Sequence, residues 1–314
     1  MDGVKARITI VGSYAVGMTI SCARFPTEGE TVPGRNFHML HGGKGSNQAI
    51  AVARLGGAAD FGTAVGVDTF GDQAVAMLKD EGIGIDFVMR KPGHSTGVGL
   101  VMVSDRGSNE IVIDLGANDA LSLADIDAMQ DTIAASDLLL VQLECNLDAV
   151  MRAIDLAAES HVPVILNPAP YRDLPAATLA KATYLTPNET EAAALLGLPQ
   201  DSVLDGSELA ARLFERFGTT VVVTLGEKGA HVRSADLDEA VPTYPARCID
   251  STGSGDTFSG ALAVALGEGR DLIAAVSFAN MAASMSVEVE GVVEGIPHRA
   301  GVEARLAQVS RSIK

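Results

Sequence analysis

The residues with the plainest chemical potential are Asp250-Ser-Thr-Gly-Ser-Gly-Asp256, followed at once by the mainly apolar run Thr257–Leu266. A Gly/Ser-rich turn that opens a helix presents free backbone N–H groups and the positive end of the helix dipole, which together make an anion site. A bare carboxylate at Asp256 would compete with an anion held there. The conflict resolves if the carboxylate takes a proton from a hydroxyl while the amides hold charge developing on a phosphoryl group. The same residue also suits a plainer role, that of a first-turn acid stabilising the helix dipole.

Five other segments carry polar groups in suggestive places. In His41-Gly-Gly-Lys-Gly-Ser-Asn47 the glycines permit close backbone approach, and Lys44 and Asn47 offer hydrogen bonds to hydroxyls or phosphates. A glycine follows the lysine and the required upstream glycine is missing, so this is not a Walker A loop; Lys44 also fits a solvated loop charge. In Thr186-Pro-Asn-Glu-Thr-Glu191, Glu191 lies three residues after Asn188. An amide and a carboxylate so spaced suit a hydrated Mg²⁺ near phosphates, and they suit a helix capping box equally well. Gln142-Leu-Glu144 and Asn167-Pro-Ala-Pro170 read as strand exits, the first bearing a carboxylate. Thr224-Leu-Gly-Glu-Lys-Gly229 reads as a tight turn able to line a nucleotide pocket.

Other chemistries lack their signatures. No Gly-x-Gly-x-x-Gly follows a strand, no Gly-x-Ser-x-Gly elbow occurs, and the six histidines show no zinc-ligand spacing. His41 is expected to be a hydrogen-bonding loop residue and not a catalyst.

The elements that must position these residues follow from periodicity. Short β-rich runs at Arg7–Gly12, Ala59–Val65, Asp137–Val141, Val162–Asn167 and Thr220–Leu225 alternate with helical patterns. The helical patterns include Gly45–Leu55, Phe70–Glu81, Leu147–Glu159, Ser207–Phe217 and Gly255–Leu266. Such alternation predicts an α/β fold, a mostly parallel, doubly wound sheet with helices on both faces. Its ligands collect beyond the carboxyl ends of the strands. Two segments break the rhythm: the extended stretch 17–40, and a hairpin from Gly97–Ser104 and Glu110–Leu115 around Asp105–Asn109. They predict a small separate β-sheet, a lid (about 14–40 and 95–115) on a single unit spanning 1–314. A lid excludes water from phosphoryl transfer, and its exposed face predicts a homodimer.

Composition narrows the class further. With 47% hydrophobic and 20% charged residues the chain is an ordinary well-packed protein. A net charge of −17 argues against nucleic acid and anionic membrane as partners. A nucleotide must then be held by local amides and a metal. Three widely spaced cysteines, Cys22, Cys145 and Cys248, indicate a reducing compartment, and no signal peptide or spanning apolar run is evident. The expected location is the cytoplasm.

Taken together the segments resemble the ribokinase (PfkB-type) sugar kinase family, end to end. The resemblance is carried by Phe25-Pro-Thr-Glu-Gly-Glu-Thr31, Gly42-Gly-Lys-Gly-Ser-Asn47, Ser95-Thr-Gly97 and Gly116-Ala-Asn118. It continues in Asn167-Pro-Ala-Pro170, Thr186–Glu191 and Asp250–Asp256. It implies a ribokinase-like fold and ATP-dependent phosphorylation of a primary hydroxyl on a sugar or sugar alcohol, ribose by default. By this resemblance Asp256 is the base, and the amides of Gly253, Ser254 and Gly255 form the anion hole. Gly43, Lys44, Asn47 and Glu144 hold the sugar. Asn188 and Glu191 organise Mg²⁺ and the ATP phosphates, while Thr224, Gly226 and Asn280 lie along the nucleotide. Asp250 and the carbonyls of Thr252, Ser286, Val289 and Gly291 hold K⁺.

Two departures stand out. Where the family grips sugar hydroxyls with an Asn-like residue and an Asp, this chain has Ala15 and Gly17. Losing a buried partner to a hydroxyl costs ~1–3 kcal/mol, so ribose binding is expected to suffer unless Tyr14 or Asp114 compensates. A deoxysugar, ketohexose, polyol or nucleoside suits the emptied pocket better, and the alternative to a kinase is a non-catalytic sugar- or nucleotide-binding protein on the same fold. Gly295 stands where ribokinases often offer K⁺ a serine hydroxyl, which predicts weaker cation activation.

Overall fold

The computed structural model describes residues 5–199 and 204–312. Its strands are β1 Arg7–Val11, β2 Ala15–Cys22, β3 Gly34–Gly42, β4 Ala58–Gly66, β5 Val88–Lys91, β6 Gly97–Ser104 and β7 Asn109–Asp114. They continue as β8 Leu138–Val141, β9 Val164–Leu166, β10 Tyr184–Leu185, β11 Thr220–Thr224, β12 Ala230–Arg233 and β13 Asp238–Val241. The helices are α1 Lys44–Arg54, α2 Thr69–Asp80, the short α3 Leu123–Asp127 and α4 Gln130–Ala134, α5 Leu147–Glu159 and α6 Ala176–Leu179. After them come α7 Glu189–Leu195, α8 Gly206–Phe217, α9 Ser254–Gly267, α10 Leu272–Ser286, α11 Val292–Gly295 and α12 Arg299–Ser312.

The large sheet has the order β13-β12-β11-β10-β9-β8-β1-β4-β5. It is parallel from β5 to β11, with β12 and β13 added antiparallel at one edge. Its central strands are buried on both faces, hence their near-continuous apolar runs. One face packs on α1, α9 and α10 through Ile8, Ile10, Ile50, Leu262 and Phe278. The other packs on α3, α4, α5 and α8 through Val11, Val141, Ile133, Ile154 and Leu213. The expected doubly wound α/β architecture is what the chain adopts.

The segments that break the βα rhythm form a second sheet of order β3-β2-β6-β7. The stretch 17–40, read from sequence only as extended, is two antiparallel strands with a register shift between Thr19 and Ser21. One face of this sheet packs Val16, Met18 and Val98 against Phe70 and Met77 of α2. Side chains alternate along a strand, so Ala15, Gly17 and Gly99 lie on the opposite face. Asp68 caps α2 and also accepts from the N–H and hydroxyl of Thr96, tying the start of β6 to the large sheet.

Candidate active site

Five parallel strands, β1, β8, β9, β10 and β11, release polar residues at the same edge of the large sheet, where the carboxyl ends lie. Ser13 follows β1, Gln142 and Glu144 follow β8, Asn167 follows β9, Asn188 follows β10 and Gly226 follows β11. Helices α1 and α9 point their N-termini at this edge. Both are capped by glycines with positive φ, Gly43 at 93° and Gly253 at 74°, and neither has a side-chain cap. A Cβ on Gly43 would lie 2.8 Å from the backbone of Tyr14 and Ala15, so no other residue fits.

The two helix starts differ in how their N–H groups are used. On α1, Lys44 N–H donates to Glu144 Oε2 at 2.9 Å and Ser46 N–H to the Ser13 carbonyl at 2.9 Å. The Ser13 hydroxyl donates to the same Glu144 oxygen at 2.6 Å. On α9, Ser254 N–H turns back to the Ser251 carbonyl at 3.3 Å, while Gly255 and Asp256 have no carbonyl four residues back within the helix. The open N–H donors therefore belong to α9.

Asp256 is only 6% exposed. Asn47 Nδ2 donates to its Oδ2 at 2.9 Å, and Gln48 Nε2 to its Oδ1 at 3.1 Å. Burial raises its pKa, opposed by the positive charge of Lys44 and then by the two amide donors. Lys44 is in turn held in its charged form, chiefly by Asp256 and also by Glu144 and Glu191. A buried carboxylate with a raised pKa, one cation and a set of open amides can remove a proton and stabilise an anion in one place.

These groups open into a cavity of about 910 Å³ that also receives Asn188, Glu191, Thr224, Gly226 and Asn280. That volume is ample for a nucleotide. The structure brings Thr224 beside Asn188 through an isolated parallel bridge, with Thr224 N–H bonded to the Pro187 carbonyl at 2.9 Å. Asn188 and Glu191 form a reciprocal capping box, in which Glu191 Oε2 accepts from Asn188 N–H at 2.9 Å. Burial raises the Glu191 pKa. The box leaves Glu191 lining the cavity, so capping and a water-mediated Mg²⁺ contact are compatible. Among the described residues no cluster of three or more His, Cys, Asp or Glu could cage a metal. Mg²⁺ commonly takes one or two carboxylates together with substrate phosphates and water. Asn280 donates its amide to the carbonyls of Val241 and Pro242 and shapes the cavity wall.

Asp250, Thr252, Val289 and Gly291 in loops, with Ser286 at the end of α10 and Gly295 at the end of α11, form a second cluster. Asp250 accepts from the N–H of Thr252 at 2.9 Å and of Gly291 at 3.1 Å. A Cβ built on Gly295 would lie 2.6 Å from the Ser286 carbonyl oxygen and 3.6 Å from that of Val289. Two carbonyl oxygens thus converge at a cradle that a serine would fill, and the Asp250 carboxylate, distant in sequence, is tied to the same segment through Gly291 N–H. The donor set fits a monovalent cation, without the serine hydroxyl. The Gly291 carbonyl accepts from Gly295 N–H at 3.0 Å.

Several expectations about single residues change. Tyr14 is fully buried and its hydroxyl bonds His41 Nδ1 at 2.6 Å, so its phenol faces the interior and does not replace the missing sugar ligands. His41 sits on β3 and not in a loop. Asp114 is exposed and accepts from Gly116 N–H at 3.0 Å. It stands in register with Val98, on the face that packs on α2. Asn47 has its amide nitrogen on Asp256, and its Oδ1, buried and unpartnered among the described residues, is the atom left for a hydroxyl. Residues not foreseen are Gln48, Ser13 and Asp68. Gln48 is fully buried in α1, and nothing local in the sequence marks it.

Comparison with known proteins agrees with this geometry. The model of the pfkB family carbohydrate kinases matches residues 5–299. The chain is 36% identical to ribokinase of Bacillus subtilis over 301 residues, 96% of this chain and 99% of that one. It is also 36% identical to deoxyribokinase of Salmonella typhi, over 92% and 95% of the two chains. The solved structure of Arabidopsis thaliana ribokinase complexed with ribose and ATP superposes with a TM-score of 0.87 at 30% identity, covering 96% and 98%. Fold, strand-end site and whole-length similarity together show that this chain belongs to the pfkB family of carbohydrate kinases.

Proposed function

We propose that this ATP-dependent carbohydrate kinase phosphorylates the primary hydroxyl of ribose or a closely related pentose or ketose, with Asp256 as general base. The observation that carries the reading is the buried Asp256 carboxylate at the open N-terminus of α9, beside Lys44 and the 910 Å³ cavity. Asp256 takes the acceptor proton as the acceptor oxygen bonds to the terminal phosphorus of ATP. The bond from that phosphorus to the bridging oxygen breaks, and ADP leaves with the electron pair. Charge on the moving phosphoryl group meets the N–H groups of Gly255 and its neighbours at the dipole end of α9. Gly43, Lys44, Asn47 and Glu144 hold the sugar, while Thr224, Gly226 and Asn280 border the nucleotide.

Mg²⁺ bound with the nucleotide neutralises phosphate charge, and Glu191 and Asn188 would hold it through water. A monovalent cation would sit against Asp250 and the carbonyls of Ser286 and Val289, outside the proton path. Without a hydroxyl at Gly295, K⁺ activation is weak in this reading.

The small sheet acts as a lid. Phe37, Met39, Leu100 and Val112 are exposed on it. Met39 and Leu100 share a register row with Met18, and Leu100 pairs with Val112, so they form one apolar stripe. A second copy of the chain covering that stripe gives a homodimer through the lid. Among the described residues no helix is long and apolar enough to cross a membrane, and the three cysteines are unpaired. Both fit the cytoplasm.

The acceptor-side face also supports a deoxysugar. Gly17 and Gly99 are register partners, and a Cβ on either would meet nothing closer than the Leu40 carbonyl at 3.8 Å. Strand β2 is paired on both sides, so its backbone has few groups to offer a hydroxyl. ATP consumption with Mg²⁺ and K⁺ over ribose, 2-deoxyribose, fructose, several polyols and nucleosides tests the proposal. Turnover of a pentose or ketose is expected; silence across the panel would overturn the reading.

A further inference from the structure

The side chain of Gln48 joins three strand ends to the catalytic carboxylate. It is fully buried in α1. Its Nε2 donates to Asp256 Oδ1 at 3.1 Å and to Asn167 Oδ1, also at 3.1 Å. Its Oε1 accepts from Gln142 Nε2 at 2.5 Å. Asn167 in turn donates to the Thr186 carbonyl at 2.9 Å. The exits of β8, β9 and β10 are thereby tied, through one amide, to the first turn of α9. Gly12 makes room for this tie, since a Cβ there would lie 1.9 Å from Gln142 Oε1.

The amide can satisfy its neighbours in one orientation only. Reversed, Gln48 Oε1 would face two acceptors, Asp256 Oδ1 and Asn167 Oδ1, and its NH₂ would face the Gln142 donor. In a buried network such a mismatch is costly on every contact. We propose that Gln48, oriented by Asn167 and backed by Gln142, is a positioning residue for phosphoryl transfer that fixes the aim and the charged state of the Asp256 carboxylate. The inference rests on Asp256 being the general base.

Burial raises the Asp256 pKa, and five groups then set the charge balance there. Lys44 at the start of α1 and the amides of Asn47 and Gln48 favour the carboxylate, whereas Glu144 after β8 disfavours it. Glu191 of α7 also interacts with Asp256, like charge against like. Removing the Gln48 donor takes away one stabilising contact and leaves the repulsion in place. The proton is then held more tightly, and the acidic limb of the rate profile moves to higher pH.

The test is steady-state kinetics across pH, in the full-length protein with ATP and the best sugar acceptor, for Gln48→Met and Gln142→Met. Gln48→Met is expected to lower kcat by up to about 10²-fold, to raise the pH of the acidic limb and to leave the KM for ATP unchanged. Gln142→Met should do the same to a smaller degree, and it serves alone if Gln48→Met does not fold. Reduced yield of active protein with an unmoved acidic limb in both variants would mean a merely structural role and would overturn the inference. Asp256→Asn, run alongside, separates the two readings. Near-wild-type turnover there overturns the general base and this inference with it; loss there with an unmoved limb in the glutamine variants overturns this inference alone.

Discussion

At the residue scale, the site works through contrast in surroundings. Asp256 is buried and its pKa is raised, first by desolvation, against the pull of Lys44 and two amides. A base with a raised pKa is protonated and idle at low pH, so kcat/KM should climb with pH through a value above the ordinary ~3.9 of aspartate. On the acceptor side the chain lacks the polar pair expected for ribose. A Cβ on Gly17 has room, with the Leu40 carbonyl 3.8 Å away, and its φ is not in the left-handed region. Ala15→Asn with Gly17→Asp is therefore expected to fold, and to raise kcat/KM for ribose by about tenfold for each partner gained. An unchanged kcat/KM in the double variant would show that this face does not limit ribose. Asp256 was legible in the sequence because a carboxylate after a Gly/Ser turn is conspicuous within seven residues. Gln48 was not legible, because its partner Asp256 lies 208 positions away and nothing local marks an amide aimed across the fold.

At the element scale, the N-terminus of α9 depends on Gly253. Its φ is 74°, and a Cβ there would sit 2.3 Å from Val292 Cγ1 of α11. Gly253→Ala combines left-handed strain with overpacking, for a loss of about 2–5 kcal/mol of stability together with misplaced anion donors. Denaturant unfolding and the KM for ATP would register both effects. A variant as stable and as active as the parent would show that this turn is not constrained. Helix and strand types on the parallel side were legible because 3.6-residue and apolar-run periods are strong over 5 to 14 residues. The antiparallel edge β12 and β13 escaped notice, since four-residue strands carry too little pattern. The capping box at Asn188 and Glu191 was visible in the spacing. Its compatibility with a cavity-lining carboxylate needed the arrangement of α7 against β11.

At the scale of the whole molecule there are two sheets: the large one aims polar residues at one edge, and the small one packs on α2. The division was legible as two breaks in an otherwise regular βα rhythm, whereas the pairing order β3-β2-β6-β7 joins strands about 80 residues apart and leaves no local trace. The exposed stripe on the small sheet predicts a dimer in sedimentation experiments, and Leu100→Asp should shift it to monomer. A wild-type monomer at micromolar concentration would refute lid pairing. In the proposed reaction one carboxylate, Asp256, receives the acceptor proton. The most direct test is the kcat of Asp256→Asn for ADP formation with the best sugar acceptor, alongside ATP binding by calorimetry. A fall of ~10²–10⁴-fold with ATP affinity retained is expected, and turnover near that of the wild type would remove Asp256 as the base.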